Sequence, residues 1–423
     1  RKGIPGVLIG FVANRAHHAD IGGLVPGSLP LSTELYHEGL IIPPVRLVVG
    51  DRLQSDVMNF ICTNSRTPSE RRGDLAAQIA ANRTGIRRFI ELVAHYGREE
   101  VNLRSQETQQ YAEAMVRARL RRAPEGEYHF MDYLDDDGIG QDDLTIHVRV
   151  RLKKERISFD FTGTAPEVPG SVNATEAVTR SACYYVVRCL VEEEVPMNAG
   201  AFAAVEVNAP EGTLVNAHPA CAISAGNVET SQRIVDVLLG ALAPAFPDCI
   251  PAASQGTMNN LMIGGYDPFR GSRYAYYETI CGGAGGSPHA PGASAIHVHM
   301  TNTRNTPIEV LEAHYPLRVQ ECALRPGSGG AGRHPGGDGV VRSIELLAPA
   351  HVTLITERRR HAPYGLAGGE PGATGLNTLR LPDGTEQFLP SKFSGACETG
   401  SLITVATPGG GGWGYALTPW ERK

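Results

Sequence analysis

Apolar residues recur at helical spacing over 74–96, where Leu75, Ile79, Ile86, Phe89, Ile90 and Val93 fall on one face. Gly97 is a natural stop for that helix. Ala112, Met115, Val116 and Leu120 predict a second helix over about 107–122, with Pro124 beyond it. The period then shortens to two. YHFMDYL (128–134) runs into an Asp135-Asp136-Asp137-Gly138 turn, and DLTIHVRVRL (143–152) and RISFDFT (156–162) alternate, which predicts an antiparallel meander. Further helices are expected over about 175–192 and 229–243, the second offered capping residues by Asn227 to Ser231. A strand, AAVEVN (203–208), lies between them. VLIGFVA (7–13) reads as a short buried strand. After residue 250, strands at 295–300, 340–347 and 351–356 alternate with glycine clusters. The fold class is therefore α+β, with mixed sheets, packed helices and a mostly β C-terminal part carrying Gly-rich loops. Three lobes are expected: 1–165, 166–335 and 336–423.

The chain has 423 residues, enough for a sizeable core. A net charge of −6 gives no electrostatic reason to expect nucleic acid or an anionic membrane as partner. No apolar run approaches the ~20 residues of a membrane span, and no signal peptide is expected. The opening Arg1-Lys2-Gly3 reads like the middle of a protein. Eight cysteines lack any CxxC spacing and are expected to be buried, reduced thiols of a cytoplasmic protein. The 49 glycines are an excess, pointing to places where backbone must approach something closely.

Several clusters can carry chemistry. In His17-His18-Ala19-Asp20-Ile21-Gly22-Gly23, imidazole and carboxylate stand three apart, half of a metal site or a hydrogen-bonded loop. His37-Glu38, followed by Gly39, is a second polar pair, or else a helix cap or loop ion pair. Ser254 to Asn260 is a dense donor and acceptor patch, able to hold an oxyanion or simply to build a turn. His297 and His299, on a strand, would share a face. The loop 327–333 (GSGGAGR) could cradle a phosphate, though it lacks a P-loop ending.

Ten collinear motifs resemble the hydantoinase B family, which also takes in N-methylhydantoinase B, oxoprolinase and acetone carboxylase alpha-type subunits. Among them are NRAHHADIGG (14–23), GDLAAQIAAN (73–82), MDYLDDDGIG (131–140), AGNVETSQRIVDVLLGAL (225–242), ASQGTMNN (253–260), HMTNTRNTPIEVLE (299–312) and TPGGGGWG (407–414). The resemblance implies a bacterial cytoplasmic subunit working in a hetero-oligomer with a hydantoinase A-type partner. That partner uses ATP to phosphorylate the carbonyl of a cyclic amide such as hydantoin or 5-oxoproline, and the B subunit hydrolyses the activated ring with a divalent metal (Zn, Mn or Fe). By the same resemblance His17 is the metal ligand, with His18 and Asp20 as supporting neighbours. The family's acidic and Thr-His-Leu-Pro-Asp motifs, which supply further ligands, are not in this sequence. They are expected on a preceding segment or a separate chain. Asn259, Asn260 and Gln255 are candidates for orienting the ring or stabilising an oxyanion, and Arg304 or Arg333 for neutralising phosphate. Two alternatives stand beside the hydrolase: a ketone carboxylase subunit (a ligase) and a non-catalytic scaffold.

Overall fold

Period-two alternation builds the first sheet, and a wholly buried helix covers it. The computed structural model describes residues 8–416. Residues 8–47 are irregular apart from one turn at Leu35–His37. A short hairpin, β1 (Val48–Val49) and β2 (Arg52–Leu53), leads to α1 (Ser55–Thr63), α2 (Pro68–Tyr96) and α3 (Arg98–Arg121). Gly97, at φ 83°, ends α2 and begins α3. α2 starts at Pro68, where a missing N–H costs nothing. α3 starts at Arg98, well before 107, because its first turns are almost entirely polar and leave periodicity nothing to mark.

The predicted meander forms from β3 (Gly126–Asp136), β4 (Asp142–Lys153) and β5 (Arg156–Asp160). Leu144, Ile146, Val148, Val150 and Leu152 of β4 all enter the core. α4 (Glu176–Leu190) provides the crossover to β6 (Val205–Asn208), which pairs in parallel with β5. A wide turn of π geometry, Gly226–Thr230, runs into α5 (Ser231–Leu242), whose residues are all buried. No side chain caps α5. Thr230 is itself helical, so the π turn replaces the expected capping residues. α5 packs on β3, β4 and α4, and Gly240 admits the Phe130 ring, to which a Cβ would stand 2.7 Å.

The C-terminal part holds β7 (Asn260–Asp267), β8 (Ser272–Thr279), α6 (Ile308–His314), β9 (Leu317–Arg325), β10 (Gly339–Leu346), β11 (Ala350–Ile355), β12 (Leu376–Arg380), β13 (Glu386–Leu389), β14 (Lys392–Cys397) and β15 (Leu402–Ala406). They form antiparallel sheets of order β14-β11-β7-β8 and β13-β12-β15-β10-β9, sharing a core that includes Ile263, Val352, Ile344 and Val405. Sheets run across the three expected spans: β5 pairs with β6, and β7 with β11.

Two expected strands are absent. Residues 8–13 lie exposed along α2, with Gly10 against the Phe89 ring and Val12 against Gly85. No strand among the described residues takes their backbone, and residue 7 lies outside those residues. Residues 295–300 fail because Ala295 and His299 both sit at φ 55°, leaving one isolated bridge from Ile296 to Gly282. Of the eight free cysteines, Cys62, Cys183 and Cys397 are buried, but Cys189 and Cys322 are exposed.

The glycines interlock backbone with backbone. Segments 252–256, 283–286, 328–337, 364–372 and 408–414, all at strand ends of the two C-terminal sheets, exchange hydrogen bonds. Gly330 donates to the Gly410 carbonyl, Gly410 to Gly337, Gly337 to Ala284, and Gly286 to Gly411. A Cβ on Gly283 would stand 1.9 Å from the Gly337 oxygen, and one on Gly410 2.0 Å from the Ala284 oxygen.

Candidate functional site

Asp20 organises the loop that carries His17. Its buried carboxylate accepts from the amides of Gly22 (3.0 Å) and Arg66 (3.1 Å) and pairs with the Arg66 guanidinium at 3.0 Å. His18 is tied to α2. Arg71 Nη1 lies 2.6 Å from His18 Nδ1, and the Gln78 side-chain nitrogen lies 2.9 Å from His18 Nε2. Burial, then the Arg71 charge, lowers the His18 pKa. With Asp20 and His18 engaged, His17 is left projecting.

His17 stands where two cavities meet. The larger, of about 750 Å³, is lined by residues including Leu29, Glu38, Leu40, Ile41 and Val178. The smaller, of about 350 Å³, is lined by Thr279, Asn302, Thr303, Arg304 and Thr306 among others. His17, Asn227, Val228 and Tyr277 line both. Asn227 Nδ2 lies 3.5 Å from His17 Nε2. Glu38 Oε1 accepts from the Ser32 hydroxyl (2.7 Å) and from the Ile223 and Ser224 amides (2.8 and 2.9 Å), while burial raises its pKa. His37 Nε2 instead lies 3.1 Å from Glu34 Oε1 in the same loop.

Behind this wall runs a buried relay. Glu229, on the π turn, accepts through Oε1 from Asn260 Nδ2 (2.7 Å) and the Met258 amide (3.2 Å). Asn260 Oδ1 accepts the Tyr277 hydroxyl at 2.8 Å. Burial, reinforced by Glu357, pushes the Glu229 pKa up to about 8. The amides of the 254–260 patch turn inward: Asn259 Nδ2 donates to Gln255 Oε1 (2.8 Å), and Asn259 Oδ1 accepts from Arg359 (2.7 Å). Gln255, Asn259 and Asn260 are buried; Asn259 braces Gln255, and Asn260 reaches the cavities through Tyr277. Arg304 lines the smaller cavity, and Arg333 lies in the glycine layer, its amide donating to the Gly414 carbonyl. The amides of Gly329 and Gly330 are also bound, to Asp338 and Gly410, so the 327–333 loop holds few donors free for a phosphate.

Sequence reasoning missed Asn227, Glu229 and Tyr277 as site residues. Their signal was polar residues inside apolar segments, GNVET and YYETI. It also missed a buried ionic cluster beneath α5. Arg358 pairs with Asp132 (2.8 Å) and Asp236 (2.6 Å), and Lys392 pairs with Glu357. Burial opposes ionisation of Asp132, yet Arg358 and Arg233 hold its pKa below the ordinary value.

Among the described residues, no group of three or more His, Cys, Asp or Glu side chains is placed to hold a metal ion. His17 is the single imidazole on the shared wall. His299 faces Tyr185 (3.3 Å) and Asp236 (4.0 Å), and burial lowers the pKa of both His297 and His299. The residues present do not by themselves fit a metal centre. No helix among them is long and apolar enough to cross a membrane.

The family model described as hydantoinase B/oxoprolinase matches residues 3–416. The chain is 39% identical over 432 residues to 5-oxoprolinase 1 of Arabidopsis thaliana, covering 97% of this chain and 33% of the plant protein. It thus spans about a third of that relative, whose source places similar sequences outside bacteria. The ATP-dependent caprolactamase from Pseudomonas jessenii superposes with a TM-score of 0.87 at 29% identity, over 94% of this chain and 71% of that one. A nucleotide-free acetone carboxylase superposes at 0.84 with 18% identity, over 94% and 60%, a likeness of fold alone.

Proposed function

Because the chain belongs to the hydantoinase B/oxoprolinase family, we propose that it receives and opens a cyclic amide activated by ATP on an A-type partner. The observation carrying this reading is the wall of His17, Asn227 and Tyr277 shared by an apolar and a polar cavity. Leu29, Leu40, Ile41 and Val178 suit the ring methylenes, and Arg304 suits a phosphate-bearing oxygen. A lactam resists water because nitrogen shares its lone pair with the carbonyl. Phosphorylation on oxygen removes that resistance and leaves an electrophilic carbon. Water adds there, the C–N bond breaks toward nitrogen, which takes a proton, and the acyl phosphate so formed is hydrolysed by a second water to carboxylate and free phosphate. His17 and Asn227 would orient the attacking water, and the apolar wall would exclude the rest of the solvent.

The test is ring opening by the complex of this chain with an A-type partner, using 5-oxoproline, hydantoin and caprolactam in turn. His17→Ala should lower the rate about 10²–10⁴-fold while ATP-dependent phosphorylation by the partner continues. Unchanged ring opening in that variant would sink the assignment of His17. Consumption of substrate only with bicarbonate would place the chain among carboxylases instead.

A further inference from the structure

Asn260 fixes what Tyr277 can offer a ligand. The Asn260 side chain is buried against three partners: the Ile355 carbonyl at 2.9 Å, Glu229 Oε1 at 2.7 Å and the Tyr277 hydroxyl at 2.8 Å. A backbone carbonyl only accepts, so the atom facing it is Nδ2 and the amide has one permitted orientation. Its Oδ1 therefore faces Tyr277, and the phenol must donate. Turning the amide over would set its oxygen against the Ile355 oxygen and leave buried acceptors unpaired, a cost that holds the arrangement in place.

A phenol has one proton and acceptor lone pairs. With its proton committed to Asn260, Tyr277 has none left for the cavities it lines, and no donor among the described residues reaches its oxygen. Burial, with Glu229 behind it, raises the Tyr277 pKa and keeps that proton on the phenol. A ligand carbonyl would find no donor here, whereas a ligand N–H would find a fixed acceptor.

We propose that Tyr277 determines specificity as a hydrogen-bond acceptor for the ring N–H, so that the site takes cyclic amides unsubstituted on that nitrogen and disfavours N-alkylated rings. The proposal rests on the cyclic-amide reading above. It adds a chemical requirement that neither the ring size nor the family imposes. A site built to pair with a polar hydrogen rejects the analogue lacking it, because the acceptor is then buried unpaired.

The experiment is a ligand-observed NMR titration of the full chain with 2-piperidone and N-methyl-2-piperidone, in wild type and Tyr277→Phe. Wild type should bind the N–H compound at least about 10-fold more tightly, the equivalent of one good hydrogen bond. Tyr277→Phe should weaken the N–H compound alone and bring the two constants together. Unchanged affinity for the N-methyl compound doubles as the control for folding. Equal binding of both compounds to wild type, or equal losses of both in Tyr277→Phe, would overturn the proposal while leaving the cyclic-amide reading standing. If neither compound binds wild type, the proposal falls, and the cyclic-amide reading is then decided by the ring-opening assay with the A-type partner.

Discussion

Removing the Asp20 carboxylate should cost about 3–5 kcal/mol, because Arg66 would be left without its buried partner. Urea denaturation of Asp20→Ala checks this. Glu229 gives a test by pH. Its folded pKa, about 8, lies above the ordinary 4.5, so between those values the folded chain keeps a proton that the unfolded chain has released. Stability contributed by this group is therefore full below about 4.5 and falls as pH rises to about 8. Glu229→Gln cannot ionise. Its melting temperature should gain on wild type steadily from pH 5 to pH 8, and parallel melting curves across that range would contradict the protonated state. At this scale the sequence displayed residue types but not their partners. Asp20 stood out in its motif, yet its chief partner is Arg66, and Glu229 reads as an ordinary helix-start acid until Asn260 is seen beside it.

At the level of elements, α5 anchors the first sheet. Leu238→Ala removes a fully buried side chain from the face of α5, and should cost about 2–5 kcal/mol in denaturant unfolding. Periodicity found α2, α3, α4, α5 and the meander because each presents an apolar face at a regular interval. It misread residues 8–13 and 295–300, where apolar runs lack a neighbouring strand or contain positive φ angles. A run of apolar residues does not say which backbone pairs with it, and in 8–13 the run is not even buried. The candidate site was half legible for the same reason. The loop carrying His17 and Asp20 was conspicuous, but Asn227 and Tyr277 reach that loop from a π turn and from β8.

Taken whole, the molecule places one imidazole and no complete ligand set at the shared wall. Elemental analysis of the purified chain alone should therefore find well under one transition-metal ion per chain, and tight stoichiometric metal would show that another set of ligands exists. The glycine excess, first a matter of composition, becomes a structural layer. Gly410→Ala should abolish recovery of folded protein, since its Cβ would meet the Ala284 oxygen at 2.0 Å. Gly327→Ala, at φ 78° with nothing within 4 Å, should cost only about 1–2 kcal/mol of backbone strain. That layer also has a kinetic signature. The amides of Gly286, Gly330, Gly337 and Gly410 are each tied to a carbonyl across three segments far apart in sequence, so none can open without loosening several strand ends together. In deuterated solvent they should be among the last to exchange, long after the exposed helices α2 and α3, although glycine amides in ordinary loops are among the first to exchange.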